Sequence, residues 1–187
     1  MGLNRIWLII RQKQKNQVVA INKEKNLPGE ISDSKITIIR GRPGIFRVKE
    51  LFGEKNLDCG FYSYLDRDEV KDINTEEYYI EYDKSYTDNT GPVKYKIIDA
   101  DKSLLYTFKS RIVEVIDGDT VKVLVYNGFR QKAVYNFRLR GINTEELNTE
   151  RGAEAKRYVE SRILNLPFVV VKTYSRDLYL RYLADVF

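Results

Sequence analysis

The sequence predicts a mainly β protein in two parts, with a single helix late in the chain. Three observations carry that prediction. Short segments rich in β-branched and aromatic residues recur along the whole chain, broken by Gly, Pro, Asn and Asp. Helical periodicity is found at one place only, residues 149–165. Charge is also divided unevenly: residues 1–107 hold 18 Lys/Arg against 17 Asp/Glu, whereas residues 108–187 hold 14 against 10. Most of the net charge of +5 therefore lies in the second part, as on a surface that meets phosphates. Solubility alone would also explain such a surface.

In the first part, strands are expected at residues 5–11, 17–22, 34–41, 44–52 and 59–65, with breaks at Leu27-Pro28-Gly29 and Gly41-Arg42-Pro43-Gly44. Residues 66–88 form a tyrosine-rich block with nine acidic and three basic residues, and its centre, residues 78–82, still reads as a strand. Strands at 93–100 and 104–110 follow, separated by the turn Asp99-Ala100-Asp101-Lys102. Strands this frequent make residues 1–107 a small all-β domain, barrel or sandwich, and no chemical motif appears in it.

The second part, residues 108–187, is more explicit. Strands at 111–116 and 120–126 flank Asp117-Gly118, a dipeptide suited to a tight turn, and Asn127-Gly128 repeats the signal before a strand reaching about Gly141. Ala155, Tyr158, Val159 and Ile163 then stand at helical spacing, with Asn148 or Thr149 available as N-cap. Two more strands, 168–174 and 178–187, are joined by Ser175-Arg176-Asp177. The expected order is β-β-β-α-β-β.

Composition excludes several classes. With 187 residues, 43% of them hydrophobic and 32% charged, the chain can bury a core and does not read as disordered. The longest early apolar run, Ile6 to Ile10, is too short to span a membrane, and no small-residue cleavage site follows it. An intracellular, cytoplasmic protein is the expectation. A single cysteine, Cys59, rules out an intrachain disulfide, and the lack of histidine rules out zinc fingers and His-based triads.

The residues Ile116-Asp117-Gly118-Asp119-Thr120-Val121, followed by Phe137-Arg138-Leu139-Arg140-Gly141-Ile142-Asn143-Thr144-Glu145-Glu146, resemble the staphylococcal nuclease (thermonuclease) family. Gly152-Ala153-Glu154-Ala155 is similar to the start of that family's first helix, and Arg181 falls where the family keeps a second arginine. The resemblance covers about residues 111–187. It implies an OB-fold barrel that hydrolyses phosphodiesters of DNA or RNA with calcium beside the scissile phosphate. It further implies that Asp119, Asn143 and the backbone carbonyl of Thr144 ligate the metal. Arg138 and Arg181 would clamp the phosphate, and Glu146 would orient or deprotonate the attacking water.

The chemistry of these residue types agrees with those roles. Phosphodiester hydrolysis adds negative charge to an anionic centre, so fixed positive charge belongs there. Arginine presents a planar fork that matches two phosphate oxygens and keeps its proton. Carboxylate, amide and carbonyl oxygens suit calcium, and a glutamate is a weak base that helps only if held close to the water. Each residue also has a plainer reading. Asp119 caps the turn after Gly118, Arg138 pairs with a cross-strand acid, and Arg181 faces solvent on an edge strand. Glu145 and Glu146 point to opposite faces if the strand persists, and Arg140, on the same face as Arg138, could assist or replace it.

Departures from the family pattern are specific. The usual Thr-Pro-Glu is Thr144-Glu145-Glu146, so proline's fixed φ is absent. Asn143 replaces a carboxylate and brings no charge. The chain is also expected to stop before the closing strand and last helices of the fold, leaving an open barrel edge for a protein partner or further chain to complete. The expected function is metal-dependent nuclease activity on DNA or RNA. The rival is a catalytically weak or inactive OB module that binds nucleic acid or protein, and a third reading makes residues 1–107 a protein-interaction domain.

Overall fold

The structure, a computed structural model, describes residues 37–65, 77–82 and 95–187. The strands expected at 5–11 and 17–22, the first three residues of that at 34–41, and most of the acidic block at 66–88 lie outside the described residues. Of the rest of 34–41, only Thr37 makes a bridge, and residues 38–41 are irregular rather than strand. Gly41–Phe187 forms one compact unit, which runs across the boundary expected between residues 107 and 108. No helix among the described residues is long and apolar enough to cross a membrane.

Five strands of this unit make one sheet: β1 (Ile45–Leu51), β2 (Glu54–Asp58), β3 (Tyr64–Leu65), β4 (Glu77–Tyr82) and β5 (Tyr95–Ile98), in the order β3-β2-β1-β4-β5, all antiparallel. The polar run Glu54-Lys55-Asn56 hid β2 from sequence reading; its inner face is supplied by Leu57 alone, which is fully buried. Most of the strand expected at 59–65 is instead a turn. Phe61 and Tyr62 adopt left-handed φ of 56° and 59°, which strand pairing cannot accommodate, and only Tyr64–Leu65 pairs.

The remaining strands close a barrel. They are β6 (Thr107–Val115), β7 (Thr120–Gly128), β8 (Gln131–Leu139), β9 (Val169–Arg176) and β10 (Tyr182–Val186), with helix α1 (Glu150–Ile163) between β8 and β9. Around the barrel the order is β10-β8-β7-β6-β9, an OB-like arrangement. The segments expected as two strands at 104–110 and 111–116 are one, β6, preceded by a 3-10 turn at Lys102–Leu104.

The open edge expected at the end of the chain does not occur. β10 pairs in parallel with Phe137–Leu139 of β8 on one side and antiparallel with β9 on the other. A backbone bond from Arg140 N to Ala184 O at 2.9 Å continues the seam. One strand with both edges paired completes the cylinder, so β10 is itself the closing strand.

Alternation along β7 sends Val121, Val123 and Val125 into the barrel, where they meet Phe137, Val171 and Ala184, all fully buried. Helix α1 covers one end through Ala155, Val159 and Ile163, one residue per turn on a single face. Its N-cap is Thr149, whose hydroxyl accepts from Gly152 N at 3.0 Å. The β7–β8 turn falls at Phe129-Arg130, both at positive φ, rather than at Asn127-Gly128. Burial decides this: Phe129 turns inward to meet Phe46 of β1 edge-on at 5.2 Å. The open sheet and the barrel thus share one hydrophobic cluster that includes Phe46, Val48, Leu57, Ile80, Phe108 and Phe137.

Candidate active site

The turn from β6 to β7 is held by its own backbone. Ile116 N and Asp117 N both donate to Thr120 O, at 2.9 and 3.2 Å, and Asp117 Oδ1 accepts from Asp119 N at 2.9 Å. This geometry turns Asp119 inward, where it is 6% exposed. Its Oδ1 accepts from the Thr120 hydroxyl at 3.0 Å, and its Oδ2 accepts from Thr144 N at 3.0 Å and the Thr144 hydroxyl at 3.3 Å.

Arg138 stands directly opposite Thr120 in the β7–β8 register, which brings its guanidinium to the same place. Its Nη1 lies 2.5 Å from Asp119 Oδ2, a close charge contact, and its Nη2 donates to Asn143 Oδ1 at 3.0 Å. Arg181 arrives from the other direction. It is not within a strand, as expected, but ends the β9–β10 turn. Asp177 pins it there, accepting from Arg181 N at 2.9 Å and from Arg181 Nε at 2.8 Å. Arg181 Nη1 then donates to Thr120 Oγ1 at 3.1 Å.

Five of the expected residues, Asp119, Arg138, Asn143, Thr144 and Arg181, therefore form one hydrogen-bonded and ion-paired cluster. Glu146 is not drawn into it. Its side chain is exposed, and its contribution is a backbone carbonyl that accepts from Thr149 N and the Thr149 hydroxyl at 3.0 and 2.9 Å. Glu145 pairs with Arg151 at 3.1 Å. Arg140 does not double for Arg138, because it is bound to Asp185 at 2.5 Å and lies over the Tyr174 ring.

Sequence reading assigned no role to Thr120 or Asp177, although both stand inside segments already singled out. Thr120 is the link between the two arginines, donating to Asp119 while accepting from Arg181. The signal was available: Thr120 follows Asp119 directly, and Asp177 precedes Arg181 by four residues, a spacing that a tight turn folds back on itself.

Burial opposes ionisation of Asp119, but the Thr144 amide, the link with Asp117, the Arg138 charge and the Thr120 hydroxyl outweigh it. The Asp119 carboxyl is held below its ordinary value and carries its charge at neutral pH. Asp177 is also held below its ordinary value: burial again opposes ionisation, while donors from Arg181 and Tyr179 favour the charged form.

The fit of a calcium ion can be judged from the donor set. Asp119 and Asn143 each present an oxygen to one and the same positive group, the Arg138 guanidinium, so both converge on a single cation position. All candidate donors are hard oxygens, as calcium requires. Only one of them is a carboxylate, and among the described residues no group of three or more Asp, Glu, Cys or His gathers there. The oxygens of Asp119 and Asn143 are of the type that suits calcium, and the Arg138 guanidinium fills the place between them.

Two glycines let the site loops approach. A Cβ at Gly118 would lie 2.6 Å from Thr144 Cγ2 and 2.7 Å from Ala155 Cβ, and one at Gly152 would lie 2.0 Å from Glu146 O. The Asp119 turn, the Thr144 loop and the start of α1 are therefore packed to contact. Gly118→Ala is expected to destabilise the fold by about 1–3 kcal/mol through overpacking. The loss should show in denaturant unfolding, and partial recovery on adding Thr144→Ser, which removes the Cγ2 that the new Cβ meets first, would trace it to this contact.

No protein-family model matches the chain, and no curated protein matches it. The motif residues and their geometry are what the functional reading stands on.

Proposed function

We propose that the chain is a metal-dependent nuclease of the staphylococcal nuclease kind, cleaving phosphodiester bonds of DNA or RNA at the Asp119 cluster. The observation that carries this reading is the convergence of two guanidinium groups, Arg138 and Arg181, on the Asp119–Thr120 pair from separate elements of the barrel. Structural ion pairing requires one cation for Asp119, and the second is already paired with Asp177. Two planar forks aimed at one place suit a tetrahedral anion.

A bound calcium would be held by Asp119, Asn143 and the Thr144 carbonyl, and would supply Lewis-acid polarisation of the phosphoryl group. The chain's own residues do the rest. Arg138 and Arg181 bind two phosphate oxygens and offset the charge that grows on them as water attacks phosphorus. Glu146, exposed beside the Thr144 loop, accepts the proton of that water as the bond to the leaving oxygen breaks. The test is cleavage of a supercoiled plasmid and of a single-stranded oligonucleotide by the folded chain in millimolar calcium. Shortened or nicked products are expected; intact substrates throughout would overturn the reading.

Asn143 gives a finer test. A site with one charged ligand is expected to bind calcium with a Kd of about 10⁻⁴–10⁻³ M. Asn143→Asp adds a charge at coordination distance and is expected to tighten binding by about tenfold or more, about 1.4 kcal/mol. Calorimetric titration of both proteins reads this directly, and unchanged affinity would remove Asn143 from the ligand set.

A second reading, an OB module that binds nucleic acid without cutting it, is favoured by one observation: no described residue holds the Glu146 carboxylate in place. It predicts that Asn143→Asp tightens calcium while no cleavage appears.

A further inference from the structure

The five-stranded sheet that precedes the barrel has no role in the reading above, yet one of its loops reaches the barrel beside the site. Residues Cys59–Ser63 close on themselves, with Cys59 N donating to Ser63 O and Ser63 N to Gly60 O at 3.0 and 2.8 Å. Phe61 and Tyr62 both take left-handed φ, uncommon for bulky side chains, and the result is that they part company. Phe61 turns inward, stacked on Tyr135 at 4.1 Å and edge-on to Tyr182 at 4.9 Å. Tyr62 is left outside, 73% exposed.

Tyr62 lies under the guanidinium of Arg176, and Arg176 is one wall of a groove of about 470 Å³ whose other walls include Lys122, Asn136, Tyr179, Arg181 and Tyr182. Arg181 belongs also to the Asp119 cluster, so the groove is continuous with the site. Its three cations are not equivalent. Lys122 is paired with Glu114 at 2.6 Å and Arg181 with Asp177 at 2.8 Å. Among the described residues no carboxylate pairs with Arg176. Its guanidinium lies 4.8 Å from the Tyr62 ring centroid and 4.5 Å from that of Tyr182, and it donates to the Tyr182 hydroxyl. An arginine bedded on aromatic rings without a counter-ion keeps its charge for an outside anion.

We propose that this groove binds a single nucleic-acid strand running from the Asp119 cluster, with Arg176 taking a backbone phosphate and Tyr62, from the appended sheet, stacking on a base. Alternation of phosphate-seeking cations with exposed aromatic rings is the pattern that single strands require, because unstacked bases offer their faces and a duplex does not. The appended sheet is then an extension of the substrate site rather than a separate module. The proposal rests on the nucleic-acid reading and adds to it the strand form and the residues that hold it.

The experiment is fluorescence anisotropy with a labelled oligothymidylate of about twelve nucleotides, a length within single-strand site sizes. It is run in excess chelator so that nothing is cut, on the full chain and its variants. Tyr62→Ala is expected to weaken binding by about five- to 100-fold with no change in salt dependence, while Tyr62→Phe retains affinity. Arg176→Gln is expected to weaken binding and to lower the slope of log affinity against log salt by about 0.7, the value of one single-strand phosphate contact. A duplex of the same length should bind less tightly and be insensitive to Tyr62→Ala. Thermal unfolding of each variant locates a temperature at which all are folded, and affinities are compared there. If the wild-type chain binds the oligonucleotide but Tyr62→Ala and Arg176→Gln bind equally well, the groove proposal is overturned and the nucleic-acid reading stands. If the wild-type chain binds no oligonucleotide, the groove proposal falls, and the nucleic-acid reading falls with it if the plasmid and oligonucleotide also stay intact in calcium.

Discussion

Alanine in place of Arg138 is expected to lower the turnover of phosphodiester cleavage by about 10²–10³-fold, the scale on which loss of one preorganised donor to a developing oxyanion is felt. The argument is positional. Arg138 is fixed by the β7–β8 register opposite Thr120 and held between Asp119 and Asn143. Its charge is therefore beside the site before substrate arrives, and a calcium ion taking over the Asp119 and Asn143 oxygens would free its fork for the phosphate. Arg138→Lys should not restore the rate, because a point charge cannot reach two oxygens as the fork does. The Asp119 carboxylate would still have three donors, from Thr120 and Thr144, so the barrel should remain folded; unfolding curves check that control. Arg181→Ala is expected to lose as much. A loss of tenfold or less at Arg181 would assign it to holding the β9–β10 turn through Asp177 instead.

Removal of divalent metal is expected to reduce cleavage below detection, and calcium to restore it. The donors at the Asp119 cluster are carboxylate, amide, carbonyl and hydroxyl oxygens, so a hard cation is required and a soft one is not favoured. Full activity in excess chelator would exclude the metal route. A readout independent of activity accompanies it. A ligand that binds only the folded state stabilises it by mass action, so calcium at about ten times its Kd should add about 1.4 kcal/mol. The midpoint of denaturant unfolding should rise with calcium in the wild-type chain. In Asp119→Asn that rise should disappear, since the one charged ligand is lost.

Legibility in the sequence followed the range of the forces involved. The helix was readable because Ala155, Val159 and Ile163 repeat at its period and Thr149 caps it, both local features. Strands β7 and β8 were readable for the same reason, their alternation being written in successive residues. Strand β2 was not, since Glu54-Lys55-Asn56 carries no alternation and pairs only because β1 lies alongside. The turn Phe129-Arg130 was misplaced by two residues because Asn127-Gly128 has the better local turn chemistry. Packing of Phe129 on Phe46 outweighed it, a contact across more than eighty positions of sequence.

The sequence by itself determined the β-rich class, the helix, and the residue types of the candidate site: Asp119, Arg138, Asn143, Thr144, Glu146 and Arg181 are all visible as short motifs. Only the tertiary structure decided how they assemble. Closure of the barrel by a parallel pairing of β10 with β8 joins strands with a helix and another strand between them, and no local signal encodes such a pairing. That same closure carries the turn holding Arg181 to Thr120, while it leaves Glu146 on an exposed loop outside the cluster. The pairing of Arg138 with Asp119 likewise depends on register, in which a shift of one residue would turn Arg138 to the other face of the sheet. Residue chemistry is a property of the chain, but convergence of charges from three segments is a property of the closed barrel.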